Sequence, residues 1–224
     1  MSKSEVKIVS RIKTKRKTWH TVLASAVFGK KELGESFLGS PEEAVGRFLK
    51  INLKDLTGNM RDQNAYVSFK IVKWQGSTLD TIHTGYELTS ASVKRMVKKN
   101  CNRLDDYFLF MTKDNKPLVV KTLMFTIKKI SRSIRTQLRK VLKEILAEEF
   151  KKNNFDAIFS NIIAYKTQQT AKKQLAKVYP LKEMAIRKLV LVSREQTAGS
   201  KTESETAPAK DLEKASIEEP AASI

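Results

Sequence analysis

The spacing of apolar residues changes partway along this chain, and that change constrains the fold more than any other feature. In the first part, apolar and polar side chains alternate in short runs such as 47–54 and 66–74, which is typical of half-buried strands. Later, residues 133–151, 155–163 and 167–178 repeat apolar side chains at helical spacing, and 184–192 alternates again. This order predicts an α+β fold with a largely antiparallel, barrel-like β core and packed helices.

Local signals place the remaining elements of the strand-rich part. Pro41 follows Ser40 and precedes Glu43, an arrangement that predicts the start of a short helix. The other predicted elements are an extended segment at 19–28, a strand at 78–84, a helix at 89–100, and a hairpin of strands 107–112 and 118–127. We expect Trp74 and Phe108, which lie in alternating runs, to belong to the core.

The two ends of the chain differ in composition from the part between them. Residues 1–17 carry seven basic side chains and one acid, Glu5, which predicts a basic N-terminal arm. Residues 195–224 carry seven acids and three lysines and almost no large apolar side chain, so we expect a disordered acidic tail over 194–224. A single α+β domain is then predicted over 18–193.

Charge is the second constraint. The whole chain has a net charge of +19, but without the tail the first 194 residues carry 40 basic and 17 acidic side chains, a net of +23. Such an excess repels itself unless a polyanion neutralises it. No apolar run approaches a membrane span, and no basic helix shows the aromatic face that binding to a membrane surface needs, so we expect no membrane partner.

The longest predicted helix carries the clearest binding signal. Residues 128–143 include seven basic side chains and no acid. Arg132, Arg135, Arg139 and Lys143 form one stripe, about 110° around the helix from the apolar stripe. Arginine suits phosphate because its planar fork donates two parallel hydrogen bonds. An ordinary solvated face is the alternative, although such faces usually mix both signs of charge.

Several further basic clusters are spread over the chain, which favours a large, irregular polyanion over a single ligand pocket. Trp19, beside the arm, could be a core residue or a platform for a base. No motif of a base-reading module occurs, so the charge favours recognition of RNA backbone and shape. The predicted RNA-binding residues are Lys13, Lys15, Arg16, Lys17, Trp19, Lys94, Arg95, Lys98, Lys99, Lys128, Lys129, Arg132, Arg135, Arg139, Lys140, Lys143, Lys172, Lys173, Arg187 and Lys188.

Signals for catalysis and for bound cofactors are absent from the sequence. The only histidines, His20 and His83, fall in no metal or nucleophile motif, and Cys101 is the only cysteine. Asp105 and Asp106 are adjacent, so on a strand they face opposite sides and cannot act as a carboxylate pair. There is no phosphate-binding glycine loop. We therefore expect no enzymatic activity, no small-molecule substrate, no cofactor and no metal site.

An ordered set of short motifs resembles the S3Ae family of small-subunit ribosomal proteins, with the archaeal branch the more similar. The motifs follow the family's order across nearly all of 17–192. They are Trp19-His20-Thr21-Val22-Leu23-Ala24, Phe28-Gly29, Leu33-Gly34-Glu35, Gly46-Arg47, Asp55-Leu56-Thr57-Gly58, Phe69-Lys70-Ile71, Gly85-Tyr86-Glu87-Leu88-Thr89, Thr112-Lys113-Asp114, the helix 134–141 and Tyr179-Pro180-Leu181.

The resemblance implies a β-barrel-like core with packed helices and no catalytic residues. It also implies a place on the platform of the small ribosomal subunit, near the messenger exit and the 3′ region of the small-subunit ribosomal RNA, beside neighbouring ribosomal proteins. The expected location is the cytoplasm. Our sequence-based hypothesis is a structural ribosomal protein that binds ribosomal RNA, and the alternative is a free basic RNA-binding factor such as a translation regulator or an RNA chaperone.

Overall fold

Eight strands and five α-helices make up residues 16–192, the part of the chain that the computed structural model describes. Residues 1–15 of the predicted basic arm and all of the predicted acidic tail, 194–224, lie outside it. The strands are β1 (Thr18–Leu23), β2 (Glu32–Leu38), β3 (Phe48–Asn52), β4 (Ala65–Gln75), β5 (Thr78–Leu88), β6 (Arg103–Met111), β7 (Pro117–Thr126) and β8 (Leu181–Leu191). The helices are α1 (Leu53–Thr57), α2 (Ser90–Met96), α3 (Arg132–Lys152), α4 (Phe155–Ile163) and α5 (Lys166–Leu175).

The sheet is organised around β5. One edge of β5 pairs with β4, and β3 pairs with the far side of β4. The other edge is shared, because β1 pairs with the beginning of β5 and β8 pairs with its end. β2 extends the β1 side, while β7 and then β6 extend the β8 side. Only the pairing of β1 with β5 is parallel, which confirms an α+β fold with a mostly antiparallel sheet.

The expected barrel is wrong. Closure requires every strand to have a partner on both edges. Within residues 16–192, β2, β3 and β6 each pair with one strand only. Because β5 divides one edge between β1 and β8, the sheet branches there and ends in three open edges. The hydrophobic pattern predicted most of the strands, although not β2, and it contained no information about this branching.

The helices cover one face of the sheet. The buried stripe of α3 consists of Leu138, Leu142, Leu146 and Phe150, with Ile134, Val141 and Ile145 packed at its margins, as the helical spacing predicted. Inward side chains of the sheet, such as Val67, Phe69, Tyr86, Val120 and Leu189, are fully or almost fully buried in the same cluster.

A close approach of two strands depends on Gly85. A Cβ atom at this position would lie 2.8 Å from the backbone oxygen of Leu189 on β8. Real Cβ atoms do not come that close to a backbone oxygen, so a larger residue would push β5 and β8 apart. The glycine therefore allows β8 to join the sheet and leaves a shallow hollow on the face away from the helices.

Some local predictions need correction. The helix expected over 89–100 ends at Met96. The short helix α1, which Asn52 caps at its start and Gly58 closes with a φ of 76°, was not predicted. The helix expected at Pro41 is a short 3₁₀ turn, Pro41–Ala44. Trp74, next to the last residue of β4, is 43% exposed and is not a core residue, whereas Phe108 is half-buried against the core.

A buried histidine joins α4 to the sheet. His83 on β5 stacks on Phe155 at 4.9 Å between ring centroids and lies 4.4 Å from the ring of Phe159. Its Nδ1 is within hydrogen-bonding distance of the Ser25 hydroxyl, at 3.1 Å, and its Nε2 lies 3.1 Å from an Asp156 carboxylate oxygen. Burial lowers the pKa of His83 below its ordinary value of 6.5; the Asp156 carboxylate opposes this shift and Lys116 adds to it.

Protonation of His83 is expected to destabilise the fold. Because its pKa is lower in the folded chain, the unfolded chain binds the proton more readily, so this contribution to stability is complete above pH 6.5 and falls as the pH drops below that value. The loss can reach about 1.4 kcal/mol per pH unit. Urea unfolding of wild type and His83→Gln at pH 8 and at pH 5.5 measures it. Between pH 8 and pH 5.5, the free energy of unfolding should fall less for His83→Gln than for wild type, and His20→Gln serves as the control. Equal falls for wild type and His83→Gln would contradict the prediction.

Candidate nucleic-acid interface

The exposed side of the first half of α3, with the segment that leads into it, is a cationic surface. Arg132, Lys140 and Lys143 are exposed on the helix, and Lys128 and Lys129 are exposed in the segment that leads into it. The first acid of the helix is Glu144. Since no carboxylate lies between residues 128 and 143, these charges are available to a polyanion along more than two helical turns.

Arg135 and Arg139, which the spacing placed in the same stripe, are directed towards the sheet. Arg139 Nε donates to Asp106 Oδ1 at 2.7 Å, and Arg135 is half-buried. Burial raises the pKa of the Asp106 carboxyl, and the charge of Arg139 opposes that shift. Arg139 is therefore an internal counter-ion as well as a surface cation.

A second cationic cluster lies on α2 and the segment after it. Lys94 and Arg95 are exposed in the last turn of α2, and the Arg95 guanidinium donates to the Asn64 side-chain oxygen at 2.5 Å. Lys98 and Lys99 are exposed but lie beyond the helix, which ends at Met96. The four side chains come from one short stretch of chain, although only two of them lie on the helix that was expected to carry all four.

The base of the arm ends in an exposed aromatic pair. Trp19 is 63% exposed, so it is not a core residue, and its ring lies 4.8 Å from that of Phe37 on β2. The Lys17 ammonium lies 5.8 Å from the Phe37 ring, and Arg16 is exposed beside it. Lys13 and Lys15 lie outside the described residues. The arrangement presents two aromatic rings and two cations where the chain enters β1.

The last predicted cluster is divided between α5 and β8. Lys173 and Arg187 are exposed, whereas Lys172 donates to the Lys182 backbone oxygen at 2.7 Å. The Lys188 ammonium lies 3.8 Å from the Glu87 carboxylate. Two of these four cations therefore already have partners within the chain.

Sequence reasoning missed the cations on the sheet. Lys50 on β3 and Lys70 on β4 project from the face away from the helices, as does Lys121 on β7. Lys70 lies over the exposed ring of Phe48 at 5.6 Å, and Lys121 lies over the exposed ring of Tyr107 at 5.8 Å. The signal was available, because Lys50 and Lys70 occupy outward positions between apolar residues in alternating runs.

The Glu87 carboxylate is the acid among these cations. Its pKa is lowered, first by the hydrogen bond that Lys50 donates to it at 2.9 Å, and also by the charges of Lys188 and Arg187. The carboxylate therefore stays ionised and holds Lys50 and Lys188 together.

Two other kinds of site were sought in the part of the chain that the structure describes. Over residues 16–192, no three side chains among histidine, cysteine, aspartate and glutamate come together as metal ligands would. None of the helices in that range has the length and apolar character needed to cross a bilayer.

Comparison with known proteins gives a consistent result. Residues 6–195 match the family described as the Ribosomal S3Ae family. The chain is 31% identical over 182 residues to the small ribosomal subunit protein eS1 of Nanoarchaeum equitans, covering 81% of this chain and 92% of that protein. It is 27% identical to the protein of the same name from Methanobrevibacter smithii, covering 83% and 96%, and 27% identical to that from Saccharolobus islandicus, covering 86% and 92%.

Proposed function

The chain belongs to the ribosomal S3Ae family, and from this premise we propose that it binds the ribosomal RNA of the small subunit through the cationic surfaces described above. As a member of this family it is a structural component of the small ribosomal subunit, acts in translation in the cytoplasm and is not an enzyme. The finer proposal is that its RNA-binding domain, residues 18–193, lies on the platform near the messenger exit and contacts the 3′ region of the RNA.

The exposed side of α3 is the observation that carries the RNA proposal. Arg132, Lys140 and Lys143 are exposed on this surface, while the buried stripe of the same helix is anchored in the core. Each phosphate that a cation neutralises releases condensed counterions, which favours binding. A helix fixed to the sheet presents its cations with little further loss of conformational entropy.

Contacts to phosphate and sugar fit the surface better than base reading through major-groove helices. The cations are distributed over α2, α3, α5, β8 and the base of the arm, and backbone contacts of this kind set position without reading sequence. Because several separate elements engage together, dissociation requires all of them to release. The proposed place on the platform, beside neighbouring ribosomal proteins, is supported by the ordered motifs shared with the family.

Salt-washed co-sedimentation tests this proposal against a free RNA-binding factor. We expect the full chain to sediment with small subunits at one copy per subunit before and after a wash at about 0.5 M salt, because multiple simultaneous contacts slow its release. Quantitative mass spectrometry of the pelleted subunits provides the measurement, with another integral subunit protein as internal reference. Complete loss of the chain in the wash, while the reference protein remains, would support a free factor and contradict the proposal.

A further inference from the structure

The face of the sheet opposite the helices forms an ordered array of side chains across six strands. The strand register brings residues of β3, β4, β5, β8, β7 and β6 into line, since directly paired residues share a face. One row runs Asn52, Tyr66, Glu87, Lys188, Lys121 and Tyr107, and the next runs Lys50, Ser68, Gly85, Val190, Val119 and Leu109. All of these residues except Gly85 are at least partly exposed.

Two cross-strand pairs on this face have the same composition. Phe48 on β3 pairs with Lys70 on β4, and Tyr107 on β6 pairs with Lys121 on β7. The aromatic side chains are 66% and 62% exposed, respectively, and each carries a lysine ammonium within 6 Å of its ring centre. The two pairs therefore present open aromatic rings, each beside a cation, on the same face of the sheet.

Between the two pairs lies the shallow hollow above Gly85. It is lined by Phe48, Lys50, Ser68, Glu87 and Lys188, together with neighbouring backbone of β5 and β8. The lysines supply cations, and the ionised Glu87 carboxylate is an acceptor for N–H groups of a base. Adjacent strands are about 4.8 Å apart, so the five strand steps from Phe48 to Tyr107 cover about 24 Å across the sheet, a span of several extended nucleotides.

We propose that this face binds a single-stranded segment of RNA, with bases stacked on Phe48 and Tyr107 and phosphates held by Lys50, Lys70, Lys121 and Lys188. Stacking on aromatic side chains beside cations is the general means by which proteins hold unpaired nucleotides. Charge complementarity favours RNA over a protein partner, because the two rows and the Phe48–Lys70 pair carry four lysines and a single carboxylate. The inference deepens the proposed function and rests on it.

The test measures binding of a labelled eight-residue oligouridylate to the full chain by fluorescence anisotropy, with an RNA duplex of the same length as comparison. Phe48→Ala with Tyr107→Ala is expected to raise the Kd for the oligouridylate at least about tenfold and to change the Kd for the duplex less than about twofold. Tyr107→Phe should bind as wild type, since the ring is retained. Both aromatic side chains are largely exposed, so the variants should keep the fold, and circular dichroism checks this.

Leu109→Ala distinguishes binding of RNA from binding of a protein partner, because Leu109 lies on the same face but offers no aromatic ring. It should leave the Kd for the oligouridylate unchanged. An unaltered Kd in the double aromatic variant, or equal losses for the single strand and the duplex, would overturn the inference. Loss of a neighbouring protein from subunits carrying Leu109→Ala, with an unaltered Kd in the double variant, would instead assign the face to a protein. Failure of the proposed function is a distinct result, namely absence of the wild-type chain from small subunits.

Discussion

Replacing Arg132, Lys140 and Lys143 by glutamate is expected to abolish stable incorporation of the chain into small subunits. The three side chains are exposed and lie on one side of α3, so the substitutions reverse the charge of this surface while leaving the buried stripe intact. Loss of three phosphate contacts should lower the slope of log K against log salt by about 2 to 3 and weaken RNA binding at least about 100-fold. Sedimentation of subunits assembled with the variant measures incorporation, and filter binding at several salt concentrations measures the slope.

A second triple variant with the same change in net charge tests whether the position of the substitutions on α3 matters. Lys73, Lys113 and Lys151 are also exposed and belong to none of the proposed RNA-binding clusters. Their replacement by glutamate changes the net charge equally and should leave incorporation near the wild-type level. If both triple variants incorporate normally, α3 does not bind the RNA. Arg135 and Arg139 are avoided because a glutamate at 139 would face Asp106 and disturb the fold itself.

Phe159→Ala is expected to lower the free energy of unfolding by about 3 to 5 kcal/mol. Phe159 on α4 is fully buried and contacts the rings of Phe28, His83 and Phe155, so its removal opens a cavity where the 3₁₀ turn 26–28, β5 and α4 meet. The surrounding rings cannot collapse into this space without moving those elements. Urea unfolding followed by circular dichroism provides the measurement.

Phe37→Ala serves as the matched control for this substitution. Phe37 is 49% exposed on β2 and contacts Trp19 rather than the core, so its replacement should cost less than about 1.5 kcal/mol. Equal losses for the two variants would contradict the assigned packing of α4 on the sheet.

The long-range parts of the fold are those that the sequence could not specify. The burial of Leu138, Leu142 and Ile145 on α3 was predictable because helical spacing is local. The branching of the sheet at β5 was not, because nothing in the alternation of β1 or β8 indicates which part of β5 each will pair with. The short strand β2 escaped detection for a different reason, since Glu32, Gly34 and Glu35 leave it without an alternating apolar pattern.

The candidate site was predictable to a similar extent. The cationic clusters near residues 95 and 132 were evident from charge alone. The sequence did not show that the basic stripe of α3 divides into inward arginines, Arg135 and Arg139, and outward cations. Arg139 turns inward because Asp106, 33 positions earlier, is on the neighbouring strand. Tyr66, Lys188 and Tyr107 lie in one row across the sheet because of the register of six strands. Composition and spacing do not predict this register.

A density map of small subunits purified from cells that contain this chain shows directly whether α3 binds the ribosomal RNA. We expect the chain on the platform with Arg132, Lys140 and Lys143 within about 3 Å of ribosomal RNA phosphate oxygens, as charge-assisted hydrogen bonds require. A map in which the chain is present but this side of α3 faces solvent would contradict binding through α3, and a map of intact subunits without the chain would contradict the account as a whole.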